Sequence, residues 1–338
     1  MPNAPNALRW DGSAGHYEVY YLTLTDGRSG VGVWIRYTML APLPGAGEPP
    51  SAALWFLVTD PRAGLPPVVA RKATLSIDLL HAGADPFELR VADALLTDEG
   101  MTGGFDDVSW DLHWTPSGRR YGHVHPWLER LGAADTILEL PHANLSIEGY
   151  VQWGSERLEL AGARGGQAHL WGSKHARSWA WLHCNDLRTI GGKPARDAFI
   201  DAVSVSTTRA GREFGPVTPV VGRFDGRDFR SISPVRVLRN SSSYSPTGWR
   251  FEAVEGSRKV IVEVDADHER LAGVTYRDPD GESAYCYNTE TASIRLHLYE
   301  RARRFGGWTH VADVHAYGRA HFEYGQRTPV PELELHLR

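Results

Sequence analysis

At 338 residues, with 42% hydrophobic and 23% charged side chains, the chain has a globular composition and the length of two domains. Its formal net charge is −5, and its Lys and Arg residues are interspersed with acids, which argues against a nucleic-acid partner. No apolar run approaches the roughly 20 residues that span a bilayer, and the N-terminus lacks the charged start and apolar stretch of a secretory signal.

A cytoplasmic protein with reduced thiols is therefore expected. Cys184 and Cys286 lie far apart in sequence and form no metal-type pair.

The first predicted element, His16 to Thr25, is rich in β-formers and closed by Asp26-Gly27, so it reads as a strand entering a hairpin. Its partner begins at Val31, with Val33, Ile35 and Tyr37 on one face and Trp34, Arg36 and Thr38 on the other. Both faces carry bulk, which suits a barrel wall. A Pro/Gly-rich turn follows, and Ala52 to Val58 reads as a further buried strand.

From 60 to 150 short apolar runs alternate with Asp, Gly and Pro, and helical periodicity is scarce. The main exception is Pro126 to Leu131, where Pro at the first position and Gly132 at the end frame a short helix. Leu145 to Gln152 alternates cleanly, with Ser146, Glu148 and Tyr150 opposite Leu145, Ile147 and Val151. After the loop signal Gly191-Gly192-Lys193-Pro194, strands resume at Ala198 to Thr207, Val260 to Val264, Ala292 to Tyr299 and Leu333 to Leu337. Many short strands with turn chemistry between them predict an all-β protein of two antiparallel barrels or sandwiches with very little helix. The loop at 191 divides it into 1–190 and 191–338.

The densest chemistry lies between Gln167 and Asn185. Read as strand, loop, strand, it projects Trp179, Trp181, His183 and Asn185 to one face, and Ala180, Leu182 and Cys184 to the other. His169 and Trp171 share a face upstream, and Lys174 and His175 fall in the loop. Rings with a few polar groups suit a mostly apolar cavity, although the same tryptophans would also serve as plain core and the histidines as buried, backbone-satisfied groups.

Several signatures are absent: no phosphate-binding loop, no Gly-x-Gly-x-x-Gly after a strand, no Gly-x-Ser-x-Gly elbow. Nucleotide cofactors and serine hydrolysis are disfavoured, and no cofactor is expected. His123 and His125 could face one metal if extended, but no third ligand is marked, so surface-loop histidines are the expectation and no metal site is assigned.

Tyr17-Glu18-Val19-Tyr20-Tyr21, Trp171-Gly172 and Trp179-Ala180-Trp181-Leu182-His183-Cys184-Asn185 together resemble the tocopherol cyclase and carotenoid hydratase superfamily, related to lipocalin-fold Diels-Alderases. The resemblance implies two tandem lipocalin-like (calycin) barrels. It also implies a cofactor-free site at or between them for an isoprenoid or polyketide-like molecule, with chemistry that begins by protonating a carbon–carbon double bond.

Such chemistry needs an acid in a dry pocket and aromatic faces for the cation, which Trp171, Trp179, Trp181, Tyr20 and Tyr21 could supply. The loop after Trp171-Gly172 holds Ser173-Lys174-His175 and no carboxylate, so an acid would have to come from Glu18, Glu148 or Glu290.

Two other mechanisms remain. His175 or His183 could be a general base, or Lys174 and the indole N–H groups could orient a substrate that cyclises by itself. Asn185 and Asn288 complete the candidate ligand-binding residues. The leading expectation is a small-molecule isomerase, cyclase or hydratase. Its competitors are a non-catalytic carrier of a lipophilic molecule and a carbohydrate binder with exposed Trp platforms.

Overall fold

The strand from His16 to Thr25 lies inside the first sheet and pairs on one side with Gly32–Ala41 and on the other with Glu156–Gly172. The computed structural model describes residues 4–130, 134–209, 212–303 and 306–338, and nearly all of its regular elements are strands. The predicted first turn forms through Asp26, whose carboxylate accepts from the amide and hydroxyl of Ser29 at 2.9 and 2.8 Å. Beyond Gly32–Ala41 the sheet continues through Ser51–Thr59 to Val68–Ser76. Beyond Glu156–Gly172 it continues through Thr136–Trp153 and Val108–Trp114 to the hairpins that end at Leu80–Ala84. The short helix forms at Pro126–Arg130, and its predicted terminator Gly132 lies outside the described residues.

The second sheet is built around Ser178–Cys184, Thr309–Gln326 and Ser283–Glu300. The chain thus passes from one sheet to the other between Gly172 and Ser178, and the Gly191–Pro194 loop lies within the second sheet's sequence. Among the described residues pairing is antiparallel except where Leu335–Leu337 runs parallel to Ala272–Arg277. The result is the expected all-β, two-barrel architecture.

Alternation along the strands sorts side chains into three apolar layers. Tyr20, Leu22, Val33, Ile35, Leu54 and Phe56 fill the first barrel, and Ala180, Leu182, Cys184, Phe251, Tyr287 and Phe322 fill the second. The opposite faces of the same strands meet between the barrels, where Tyr17, Tyr21, Trp34 and Trp55 pack with Trp179, Trp181, Tyr276 and Cys286. Strands buried on both faces read as continuous apolar runs, which is why the first three strands carry bulk on each side. Both cysteines are free and buried. No helix among the described residues is long and apolar enough to cross a membrane.

Polar groups also bind the barrels together. His183 of the second barrel donates from Nε2 to the Ala143 carbonyl of the first at 2.9 Å, and its Nδ1 lies 2.9 Å from Nδ1 of His321. Nε2 of His321 lies 3.0 Å from the Thr25 hydroxyl. Gly32 passes against Glu290, where any Cβ would fall 2.3 Å from the Glu290 Cβ.

Burial pushes the pKa of His183 down and that of His321 well down, with the charge of His183 adding to the latter. Both are neutral when folded and gain a proton more easily when unfolded. The stability they contribute is therefore complete above the ordinary histidine value of 6.5 and is lost as pH falls below it. Unfolding free energies from urea titrations between pH 8 and pH 5 should fall by up to about 1.4 kcal/mol per pH unit for each histidine. His321→Asn should flatten that slope.

Candidate active site

A cavity of about 410 Å³ lies where the aromatic face of Ser178–Cys184 meets the first barrel. Its walls include Tyr17, Val19, Tyr21 and Trp34 from the first barrel, and Trp179, Trp181, Val203 and Val205 from the second. The segment from His123 to Leu128 closes one side. Trp179 fits because position 325 is glycine: a Cβ there would lie 2.1 Å from the indole. Trp181 is held edge-on to Tyr21, ring centroids 5.5 Å apart.

The indole N–H groups are already engaged, that of Trp179 by Glu323 at 2.5 Å and that of Trp181 by Asp201 at 3.2 Å. These tryptophans therefore offer faces to the cavity, and the idea of indole donors polarising a ligand is corrected.

Two His–Asp pairs border this chamber. His175 stacks on Tyr17 and Tyr276, with centroids at 4.6 and 5.2 Å, and stands 5.6 Å from Trp179. Its Nδ1 is 2.5 Å from Asp278, and its backbone amide donates to the same carboxylate at 2.9 Å. Arg327 completes the arrangement, donating to Asp278 at 2.6 Å and to the His175 carbonyl. Burial would raise the pKa of Asp278, but hydrogen bonds from His175 and Arg327 outweigh it and hold it low. With Asp278 ionised, Nδ1 of His175 is the donor in that contact, and Nε2 takes no part in it.

In the second pair, Nε2 of buried His123 lies 2.9 Å from Asp201, out of line with the ring N–H. His123 and His125 both line the cavity, which corrects their reading as surface-loop residues.

The profile of the tocopherol cyclase-like family matches residues 113–326, more than half of the chain. The protein belongs to the tocopherol cyclase-like family. Two uncharacterized Mycobacterium tuberculosis proteins, Rv0493c of strain H37Rv and MT0513 of strain CDC 1551, are each 29% identical over 293 residues, covering 86% of this chain and 83% of theirs. Among solved structures, NE1406 of Nitrosomonas europaea, described as AttH, has a TM-score of 0.56 at 13% identity, covering 97% of this chain and 100% of that one. CghA solved with Sch210972 has a TM-score of 0.57 at 10% identity, covering 92% and 88%. These structures share the fold.

Within this tocopherol cyclase-like protein the residues singled out in the sequence divide into two groups. Tyr21, Lys174, His175, Trp179 and Trp181 line the chamber, Lys174 at an exposed rim where it pairs with Asp280 at 2.7 Å and Glu282 at 2.9 Å. The others line neither this cavity nor its neighbour. Glu148 is exposed on the outside of the first barrel, opposite His113, because its face of the Thr136–Trp153 strand turns to solvent.

Tyr20 points into the first barrel and donates to Glu18 at 2.8 Å, and His169 stacks on it, with Nε2 2.7 Å from Glu18 and Nδ1 2.8 Å from the Pro5 carbonyl. Trp171 lies beside His169 and under the Arg9 guanidinium. His183 is tied to Ala143 and His321, and Asn185 donates to the carbonyls of Leu145 and Gly165. Asn288 is buried with neither amide atom bonded to a described residue.

Neither alternative acid meets the chamber. Burial pushes the carboxyl of Glu290 well up, so it is held neutral, but it is sealed between the barrels beside Thr23. Glu18 is fully buried and anionic. Burial opposes its charge, but hydrogen bonds from His16 and His169 and from the Arg9 amide outweigh it and bring its pKa to about 2.

Glu323, Arg36, Tyr17 and Tyr276, which line the chamber, and Asp278 and Asp201, which pair with its histidines, are the site residues that pattern reading passed over. Asp278 stands in Asp-Pro-Asp-Gly, which reads as plain turn chemistry. A group with metal-ligand chemistry, His297, His310 and Asp313, gathers on the last hairpin of the second barrel, both rings sharing one carboxylate oxygen at 2.7 and 2.6 Å. None of the three lines the chamber or the cavity beside it.

Glu18→Gln should lower the stability of the folded chain by about 3 kcal/mol at pH 7, because it breaks a buried charged network. The folded pKa of Glu18 is depressed, so its contribution is present above the ordinary 4.5 and lost as pH falls toward 2. The gap between wild type and Glu18→Gln in a denaturant titration should narrow across that window.

Proposed function

We propose that the protein is a small-molecule isomerase, cyclase or hydratase that acts on an apolar, terpenoid or polyketide-like substrate in the chamber between its barrels. The observation that carries this reading is the His175–Asp278 pair on an aromatic-walled cavity, with an Nδ1–Oδ1 distance of 2.5 Å. Membership of the tocopherol cyclase-like family supports it, as does the shared fold of CghA, whose structure was solved with Sch210972.

The chemistry follows from the geometry. Asp278 holds the imidazole in one orientation and stabilises the imidazolium, so Nε2 can take a proton from the substrate and return it at another atom. That shuttle serves isomerisation, and equally the addition or loss of water. The faces of Tyr17, Trp179 and Trp181 favour positive charge developing on a carbon skeleton, and the packed walls keep bulk water from quenching it. The reading calls on no cofactor.

A carrier would share the cavity and the rings but would need no ionised Asp beside a histidine at the wall. Solvent extraction and native mass spectrometry of the purified protein should identify a co-purifying apolar molecule, which is then incubated with wild type and variants. His175→Gln should bind it and convert it about 10²- to 10⁴-fold more slowly, the usual range for loss of a general acid–base. Asp278→Asn should be impaired in the same step. Recovery of the molecule unchanged from wild type would instead identify a carrier. If activity is lost in His123→Gln and kept in His175→Gln, the proton transfer belongs to the other pair.

A further inference from the structure

Arg36 stands on the inter-barrel face of Gly32–Ala41, only 6% exposed. Its guanidinium lies 4.2 Å from the ring centre of Tyr276, 5.3 Å from that of Trp34 and 5.8 Å from that of Trp55. No carboxylate among the described residues pairs with it, none of its nitrogens bonds to a described residue, and Nε is shut off without a partner. Lys72 sits over the same Trp55 ring at 4.1 Å, and it too has no ion pair among the described residues.

A second cavity, of about 510 Å³, lies back to back with the chamber, and Arg36, His175, Tyr17 and Tyr276 belong to the walls of both. Arg36, Lys72, Arg277 and Arg338 line it, and the one acidic side chain among its lining residues is Glu48, which lies 3.6 Å from Arg277.

An unpaired buried cation is costly, and its attraction to aromatic rings offsets only part of that cost. Lys72 feels the same crowding: burial pushes its pKa down, and the charge of Arg36 adds to that. A guanidinium left open toward a cavity has the planar, multi-donor form that matches an oxyanion.

We infer that the molecule bound here is an amphiphilic anion, whose carboxylate or phosphate is held by Arg36 and Lys72 in the basic cavity while its apolar body occupies the aromatic chamber. His175, on the shared wall, then faces the part of the skeleton nearest the charged head. This rests on the chamber being the binding site proposed above, and it adds the charge class of the ligand and the residue that selects it.

The test compares dodecanoate, dodecyl phosphate and dodecanol by tryptophan quenching and isothermal titration calorimetry on wild type, Arg36→Met, Arg36→Lys and Lys72→Met. The oxyanions should bind wild type at least about 10-fold more tightly than the alcohol, as charge-assisted hydrogen bonds to a desolvated Arg imply. Arg36→Met should bring acid and alcohol within about twofold, and Arg36→Lys should keep part of the preference. The two oxyanion arms separate a carboxylate-bearing from a phosphate-bearing ligand.

Equal binding of alcohol and acids by wild type, or an equal loss of both in Arg36→Met, would overturn the inference and leave the apolar chamber standing. Failure of all three to bind would overturn the chamber reading and this one together. Melting curves establish that each variant is folded. Should Arg36→Met not fold, the wild-type comparison with Arg36→Lys and Lys72→Met decides the matter.

Discussion

The structure depends on one constraint: a set of strands must bury both of their faces. In an ordinary barrel each strand has one face in the core and the other in water. Here His16–Thr25, Gly32–Ala41 and Ser51–Thr59 send Leu22, Ile35 and Phe56 into the first barrel, and Tyr17, Trp34 and Trp55 toward the second. Ser178–Cys184 does the same from the other side, with Leu182 inward and Trp181 outward. Each barrel thus supplies half of a third apolar layer. The hydrophobic area in that layer holds two otherwise separate sheets in one arrangement.

The site is a consequence of how that layer is filled. Bulky rings cannot tile a surface between two curved sheets without leaving space, and the chamber is that space, walled by the rings themselves. Polar groups buried beside the rings are costly unless hydrogen-bonded, and several of them are paired. Glu323 and Asp201 accept hydrogen bonds from the indole N–H groups of Trp179 and Trp181, Glu18 is pinned by amides and histidines, and His183 and His321 bridge the barrels. Set apart from these are His175, oriented by Asp278, and Arg36, which rests on aromatic faces. A buried group with spare bonding capacity at a cavity is where a ligand finds purchase.

Much of the fold was legible because the signals are local. The strand at His16–Thr25 appears with its predicted bounds, the Asp26 turn closes it, and the alternation at 179–184 divides small from aromatic residues as the pattern says. Two of the three stretches that carry the family resemblance prove to be neighbours: Tyr17 pairs with Gly172 and Glu18 with Trp171 across adjacent strands. The site was only partly legible. Trp179, Trp181, Tyr21 and His175 were marked by density and residue type. Asp278, by contrast, lies 103 residues from His175 inside a common turn motif, and no pattern joins the two.

By itself the sequence determined the all-β class, the position and facing of the principal strands, and the concentration of rings between Gln167 and Asn185, because period-two alternation and turn chemistry act over a few residues. Tertiary structure alone decided which histidines are structural and which border a cavity. His169, His183 and His175 are chemically alike in the chain, and they differ in having Glu18, Ala143 and Asp278 as partners. Those partners arrive from distant strands and loops. Burial and electrostatic environment are properties of the assembled layer, which no single strand contains.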